Sequence, residues 1–141
     1  MILNIKKILL KILMVIVILA LIVGGAYYWL QKNNQEKSAI KKTAITQLAL
    51  LTTGHSAQLY TATSSGMHAS VNQNQFTNKF SGLVSSKPVF LPGKLVTKNG
   101  KYYYYQRVDN LPKTPGGRTN ADFTLEYINE KGWKLNAVTI E

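Results

Sequence analysis

An uncharged stretch of nineteen residues, from Ile12 to Leu30, constrains this chain more than any other feature of its sequence. As an α-helix rising about 1.5 Å per residue it spans about 28 Å, close to the hydrocarbon thickness of a bilayer. A helix buried in a globular domain would show a polar stripe, and this stretch has none. We therefore predict a transmembrane helix over residues 8–30, preceded by a short cytoplasmic N-terminus over residues 1–7.

A cleaved signal peptide is the alternative interpretation of this stretch. The small residues at 24–26 could form a cleavage site, but the apolar run is longer than most signal-peptide cores. In addition, Tyr27, Tyr28 and Trp29 resemble the aromatic belt that retained anchors place at the membrane interface. We therefore expect a retained anchor that contacts membrane lipid. The sequence contains no cysteine, which excludes a lipoprotein.

The orientation of this helix is predicted from the lysines beside it. Lys6, Lys7 and Lys11 favour a cytoplasmic N-terminus, although lysines at residues 32–42 nearly balance them. The short basic region before the helix resembles that of an uncleaved signal-anchor. We expect the rest of the chain, residues 36–141, to form an extracytoplasmic domain.

An apolar N-terminal helix that runs into a globular head also resembles a type IV pilin. A pilin-like surface subunit is therefore one hypothesis about function. Pilins carry a processing glycine followed by a hydrophobic residue and a glutamate near the start of the helix. Here no acid occurs before Glu36, which argues against this hypothesis.

The charge of the chain is strongly positive, with 17 lysines and arginines, six acids and a formal net charge of +11. The part after the apolar run has 14 cations and six acids, a formal charge of +8. These cations are scattered, which is typical of a solvated basic surface. The alternative is attraction to anionic lipid or to an anionic polymer of the cell envelope. Nucleic acid is unlikely as a partner, because there is no compact basic cluster or RNA-binding signature.

Reactive side chains are few. With no cysteine and only His55 and His68, the composition argues against a metal site. No serine has a nucleophile-elbow context and no glycine-rich loop matches a phosphate cradle. The acids of the C-terminal part are expected at turns, strand ends or solvated positions: Asp109, Asp122, Glu126, Glu130 and Glu141. We therefore predict no enzymatic activity, no catalytic residue, no metal and no cofactor.

Three helices are predicted after a polar joint at residues 31–35. The first, over residues 36–52, repeats its apolar residues at the spacing of one helix face. The second begins at Ser56, a suitable N-cap, and ends at a serine-glycine break. The third runs from Gln75 to Ser81, with Asn74 as its N-cap.

Two β-hairpins are predicted in the C-terminal half. Asn99-Gly100 lies between two strand-like stretches and is the strongest short signal for a hairpin. A two-residue turn there would pair Val96 with Tyr103. In the second hairpin, residues 122–129 and 133–140 pair, and a bulge near Asn136-Ala137 would bring all the apolar residues of the last strand onto one face.

Helices first and antiparallel strands afterwards indicate an α+β fold, with about three helices packed on a curved sheet of about four strands. The order of Gly54, an aromatic helix around Phe76 and a closing Gly132-Trp133-Lys134 hairpin resembles the small cystatin-like, nuclear-transport-factor-two-like domains. The resemblance covers residues 36–141 and is greatest to membrane-anchored bacterial members of unknown function. His55 stands where an acid is common in the family.

The resemblance implies a cone-shaped domain whose bent sheet wraps its helices and often leaves a pocket. Some members are enzymes, such as ketosteroid-isomerase-like proteins and polyketide cyclases, and others are accessory domains without chemistry. An apolar-ligand-binding or isomerase-like pocket protein is therefore an alternative function. An isomerase-like site would need a carboxylate base in an apolar pocket, and no acid in the sequence has that context.

The four consecutive tyrosines at 102–105 divide by strand alternation. Tyr102 and Tyr104 are expected in the core. Tyr103, Tyr105 and Arg107 are expected on the other face, where tyrosine and arginine together are typical of binding hot spots. Sheet-stabilising aromatic pairing explains the same residues without any partner. We predict a non-catalytic binding or scaffold domain that engages a partner protein, another copy of itself or an anionic envelope component.

Overall fold

The computed structural model describes residues 2–112, 114 and 117–141. The chain divides into two compact units, one that ends at Ser38 and one from Ala39 to Glu141. Each unit is described by itself.

A single long helix, α1 (Ile2–Thr52), forms the described part of the first unit and enters the second. Of the described residues, it is the one helix long and apolar enough to cross a membrane. Its apolar side chains are exposed, with Leu21 at 70% and Val23 at 67%. Residues 31–35, the predicted joint, are helical, since no glycine or proline interrupts the backbone there.

Three shorter helices follow in the second unit: α2 (Ser56–Tyr60), α3 (Ser65–Ser70) and α4 (Gln73–Phe80). A 3₁₀ turn, Ser81–Leu83, continues α4. The helix α3 was not predicted, because its sequence is polar and includes the serine-glycine pair that we interpreted as a break. The Ser64 hydroxyl caps α3 by accepting a hydrogen bond from the Met67 N–H at 3.1 Å.

Two predicted helix caps are wrong. The N-cap of α4 is Asn72 rather than Asn74, because Asn72 and Gln75 form a reciprocal capping box. That arrangement satisfies two backbone N–H groups, and the helix therefore begins two residues earlier than predicted. Ser56 is the first residue of α2, and His55 is at its N-cap without a capping hydrogen bond from its side chain.

Five antiparallel strands form one open sheet: β1 (Val89–Phe90), β2 (Lys94–Lys98), β3 (Lys101–Asp109), β4 (Ala121–Asn129) and β5 (Trp133–Ile140). The strands β1 and β2 both pair with the same side of β3, whereas β4 pairs with its other side and β5 with β4. The short β1 brings the number of strands to one more than predicted.

Both predicted hairpins are confirmed. In the first, Val96 pairs with Tyr103, and the turn residues Asn99 and Gly100 have φ angles of 52° and 72°, as a type I′ turn requires. In the second, the register shifts where Glu126 pairs with Ala137 and Tyr127 with Leu135. Asn136 is the extra residue of this bulge.

The core lies between one face of the sheet and the helices of the second unit. Leu48 and Leu51 of α1 and Tyr104, Leu125 and Tyr127 of the sheet are each at most 1% exposed. The Tyr127 hydroxyl donates a 2.6 Å hydrogen bond to Gln47 Oε1, which joins β4 to α1. The second unit is therefore an α+β domain whose sheet has one covered face and one outer face.

A break of three residues separates β1 from β2 at the sheet edge. There the Tyr104 hydroxyl donates to Gln106 Oε1 at 2.6 Å, and Gln106 Nε2 donates to the Leu91 carbonyl at 2.6 Å. Gly93 lies against the Tyr104 ring. The buried tyrosine thus holds the broken edge in place through Gln106.

Candidate functional site

The outer face of the sheet carries the residues that we predicted for binding. Strand alternation buries Tyr102 and Tyr104 at 4% and 0% exposure, whereas Tyr105 is 44% exposed and Arg107 is exposed. Tyr103 is half-buried on the same outer face as these two. The predicted division of the four tyrosines is confirmed.

Tyr103 belongs to a cluster around Glu126. Its hydroxyl is hydrogen-bonded to the Glu126 carboxylate. The same carboxylate accepts hydrogen bonds from Asn136 Nδ2 at 2.7 Å and from Lys101 Nζ at 3.1 Å. Partial burial opposes ionisation of Glu126, but the hydrogen bonds from Asn136 and Lys101 outweigh it and lower its pKa. The carboxylate therefore stays charged and orients Tyr103.

Arg107 is held by two carboxylates. Its Nε lies 3.2 Å from Asp109 Oδ1, and its Nη1 lies 4.0 Å from Asp122 Oδ2 on the neighbouring strand. Both pairs are exposed, so their contribution to stability is small. Arg107 shares the outer face of β3 with Tyr105, which lies two residues earlier in the strand.

An open groove of about 460 Å³ runs past Tyr105 and Arg107. Pro92 and Lys94 line it on the edge side, and Asp122 lies on the opposite side. Two of the three predicted binding residues are thus brought together in one concave feature, and Tyr103 lies in the neighbouring Glu126 cluster.

Two exposed apolar side chains that were not predicted extend this surface. Val89, 50% exposed, pairs with Asp109, and Leu91, 36% exposed, donates its N–H to the Arg107 carbonyl. The sequence feature that could have indicated these two residues is the apolar run at 89–91 between two prolines. Its two-residue strand is too short to show alternation.

Searches with the sequence and with the fold match no family model, no curated protein and no solved structure. The surface must therefore be interpreted from its own chemistry. It combines aromatic, apolar and guanidinium groups, which are residue types enriched at protein interfaces.

On the covered face of the sheet, the Tyr104 hydroxyl donates to Gln106 and the Tyr127 hydroxyl donates to Gln47. Among the described residues, no buried side-chain nitrogen or oxygen lacks a hydrogen-bond partner. In the same residues no three His, Cys, Asp or Glu side chains come close enough to hold a metal ion. His55 contacts Thr53 Oγ1 at 3.1 Å, and His68 contacts the Tyr60 carbonyl at 2.8 Å.

The predicted interfacial residues Tyr27, Tyr28 and Trp29 lie on α1 in the first unit. Their side chains are 69%, 68% and 64% exposed. They are therefore accessible to surrounding lipid or water.

Glu130, which we expected to be solvated in a turn, binds the first residue of α3. Its two carboxylate oxygens accept hydrogen bonds from the Ser65 N–H at 2.9 Å and the Ser65 hydroxyl at 2.7 Å. The backbone bond is the main reason that the pKa of Glu130 lies below its ordinary value. An anion at a helix N-terminus is favoured by the unpaired N–H groups there.

Glu130→Gln is expected to weaken the domain near neutral pH and to matter less in acid. The folded-state pKa of Glu130 is lowered, so its contribution is complete above the unfolded value near 4.5 and is lost as the pH falls through the folded value. Urea denaturation at pH 7 and pH 3 should show the difference between variant and wild type shrinking in acid. Glu141→Gln, at an exposed terminal acid, should behave as the wild type does. An equal difference at both pH values would contradict this role for Glu130.

Proposed function

We propose that this protein is a single-pass, membrane-anchored binding or scaffold domain that lies outside the cytoplasm and has no catalytic activity. Its partner is a protein, either a different chain or a second copy, which contacts the outer face of the sheet. The observation that carries the proposal is the juxtaposition of exposed Tyr105, Arg107, Val89 and Leu91 beside an open groove.

Pre-ordering of this surface supports recognition. Glu126 restrains Tyr103, and Asp109 and Asp122 lie near Arg107, so part of the side-chain freedom is already restricted before binding. Exposed tyrosine and arginine on a rigid strand are the residues that most often dominate interface energetics. The basic residues at the rim, such as Lys94, would favour a partner with an acidic border.

The sheet edge formed by β1 and β2 is a less suitable contact than the outer face. The stretch that contains β1 and β2 has Pro88 and Pro92, a break and lysines at positions 94 and 98. These are the devices with which proteins prevent strands from adding to an open edge. We therefore assign recognition to side chains of the outer face rather than to the backbone of the edge.

The proposed fold family is the cystatin-like, nuclear-transport-factor-two-like one, with the second unit as its cone. Support comes from the order of elements, helices followed by a bulged antiparallel sheet. Packing favours a non-catalytic member over a pocket protein. The side chains of Tyr104, Phe123 and Tyr127 occupy the covered face, and each is at most 1% exposed.

A photo-crosslinking amino acid in place of Tyr105 tests the binding surface in intact cells. We expect one discrete adduct, whose mass shows whether the partner is a second copy or another protein. Changing Tyr103 and Arg107 to alanine in the same chain should reduce adduct formation at least tenfold, since a hot-spot residue contributes about 2 kcal/mol or more.

The same photo-crosslinker at Asn74, exposed on α4 on the helical side of the sheet, provides the matched control and should give no discrete adduct. Undiminished capture after the two alanine substitutions would remove the assignment of the partner to this surface. Unchanged Trp133 fluorescence of the purified alanine variant in a Trp29→Phe background would show that the domain is still folded.

The orientation can be tested with single cysteines, because the natural chain has none. Ser86→Cys lies in an exposed segment of the second unit, and Asn4→Cys lies near the start of α1. In intact cells a membrane-impermeant maleimide should label position 86, and it should label position 4 only after permeabilisation. The reverse pattern would place the domain in the cytoplasm. Loss of residue 4 from the mature chain would indicate a cleaved signal peptide.

A further inference from the structure

A second groove, on the helical side of the domain, lies in a part of the chain with an unusual charge distribution. Residues 37–108 contain nine lysines and arginines and no acid. Of the acids that follow, Asp109, Asp122 and Glu126 pair with cations on the outer sheet face, and Glu130 binds Ser65. Within the second unit, the α1 portion therefore carries Lys41 and Lys42 and no acid, and the nearest acid in sequence, Glu36, lies in the first unit.

The helical groove has a volume of about 450 Å³, lies between α1 and α2, and is open to solvent. Lys42 supplies its positive charge, and Gln58 supplies an amide. Leu50 contributes an apolar wall. Two threonines also line the groove: Thr46 of α1 and Thr61, which directly follows α2.

The hydrogen bonds within the groove determine what its hydroxyls offer to a ligand. Thr46 Oγ1 donates to the Lys42 carbonyl at 3.1 Å, and Thr61 Oγ1 donates to the Gln58 carbonyl at 2.8 Å. With their protons engaged, both oxygens present lone pairs toward ligand hydroxyls. The Lys42 ammonium and the Gln58 amide present donors toward an anion. The groove is therefore matched to a molecule that carries both hydroxyl groups and negative charge.

We propose that the helical groove binds an anionic polyol polymer whose units are joined by phosphodiesters. A phosphodiester contacts Lys42, and hydroxyls of the polyol donate to Thr46 and Thr61. The carbon backbone of the polymer rests on Leu50. Because the groove is open, a chain can pass along it without being enclosed at its ends.

This binding site is independent of the protein-binding surface proposed above, because none of its lining residues lies on the sheet. Failure of either proposal leaves the other intact. The polymer would hold the domain against a charged matrix while the outer sheet face contacts a protein.

The test uses the full chain in phosphatidylcholine nanodiscs and a fluorescent glycerol-phosphate oligomer as the probe. We expect Lys42→Gln to weaken binding about fivefold, the effect of one exposed ionic contact of roughly 1 kcal/mol. Thr46→Val, which removes a hydroxyl at nearly constant shape, should weaken it about twofold to threefold. Lys98→Gln removes the same charge from an exposed position on β2 and should change affinity less than about twofold.

Three results would overturn the proposal. The first is no binding of the oligomer by the wild-type chain. The second is an equal loss for Lys42→Gln and Lys98→Gln, which would indicate diffuse attraction rather than a site. The third concerns lipid as the source of the phosphodiester. If a soluble short-chain phosphatidylglycerol binds in a Lys42-dependent way and the oligomer does not, the groove binds a lipid headgroup instead.

Discussion

Gly93→Ala is expected to lower the free energy of unfolding of the second unit by about 3 kcal/mol, the upper part of the usual range for overpacking. A Cβ atom at this position would overlap the hydroxyl and Cζ of Tyr104 and would lie 2.8 Å from its Cε2. The ring has no room to withdraw, since Tyr104 is 0% exposed. Its hydroxyl is also bonded to Gln106, which holds the Leu91 carbonyl. The substitution therefore strains the whole break between β1 and β2.

Urea denaturation of the full chain in detergent, followed through Trp133 fluorescence in a Trp29→Phe background, measures this effect. Gly82→Ala is the matched control, because a Cβ there has no atom within 4 Å. It should change stability by less than about 0.5 kcal/mol. In a Tyr104→Leu background, Gly93→Ala should cost less than in the wild type. Equal effects at positions 93 and 82 would contradict the close approach of Tyr104.

Tyr127→Phe is expected to cost about 2 kcal/mol, within the range for leaving a buried polar partner unsatisfied. The hydroxyl donates to Gln47 Oε1 at 2.6 Å, and the two residues are only 1% and 8% exposed. Burial raises the pKa of Tyr127, so this group remains a neutral donor across the physiological range. Without it, the Gln47 oxygen would be buried against a phenyl ring.

The same denaturation experiment provides two controls for Tyr127. Tyr105→Phe makes the same chemical change on the exposed face and should alter stability by less than about 0.5 kcal/mol. Adding Gln47→Leu to Tyr127→Phe should recover most of the loss, because an apolar pair leaves no unsatisfied group. A double variant as unstable as the sum of its parts would show that packing, rather than the hydrogen bond, is responsible.

The parts of the fold that were predicted correctly are those that depend on neighbours along the chain. Asn99-Gly100 determines its hairpin register because both residues readily adopt positive φ. The parity change in β5 revealed the bulge at Asn136, because Leu135 and Val138 must share a face. The long helix follows from an unbroken apolar run.

The parts that were missed depend on distant contacts. The start of α3 is held by the sheet: the Ser64 N–H bonds to the Leu135 carbonyl at 2.8 Å, and the Ser64 hydroxyl bonds to Asn136 Oδ1 at 2.7 Å. A six-residue helix is too short to be stable by itself, so its local sequence carries little signal. The strand β1 is similar, since two residues cannot show an alternation.

The sequence by itself determined the apolar helix, the placement of helices before strands, the two hairpins and which tyrosines share a face. These properties follow from composition, turn residues and the period of two along a strand. Tertiary structure decided which partners the side chains on those faces contact. Arg107 meets Asp122, and Tyr103 meets Glu126, because β3 and β4 pair in one register. Residues far apart in the chain become neighbours only through packing, and one sequence without its fold does not specify those contacts.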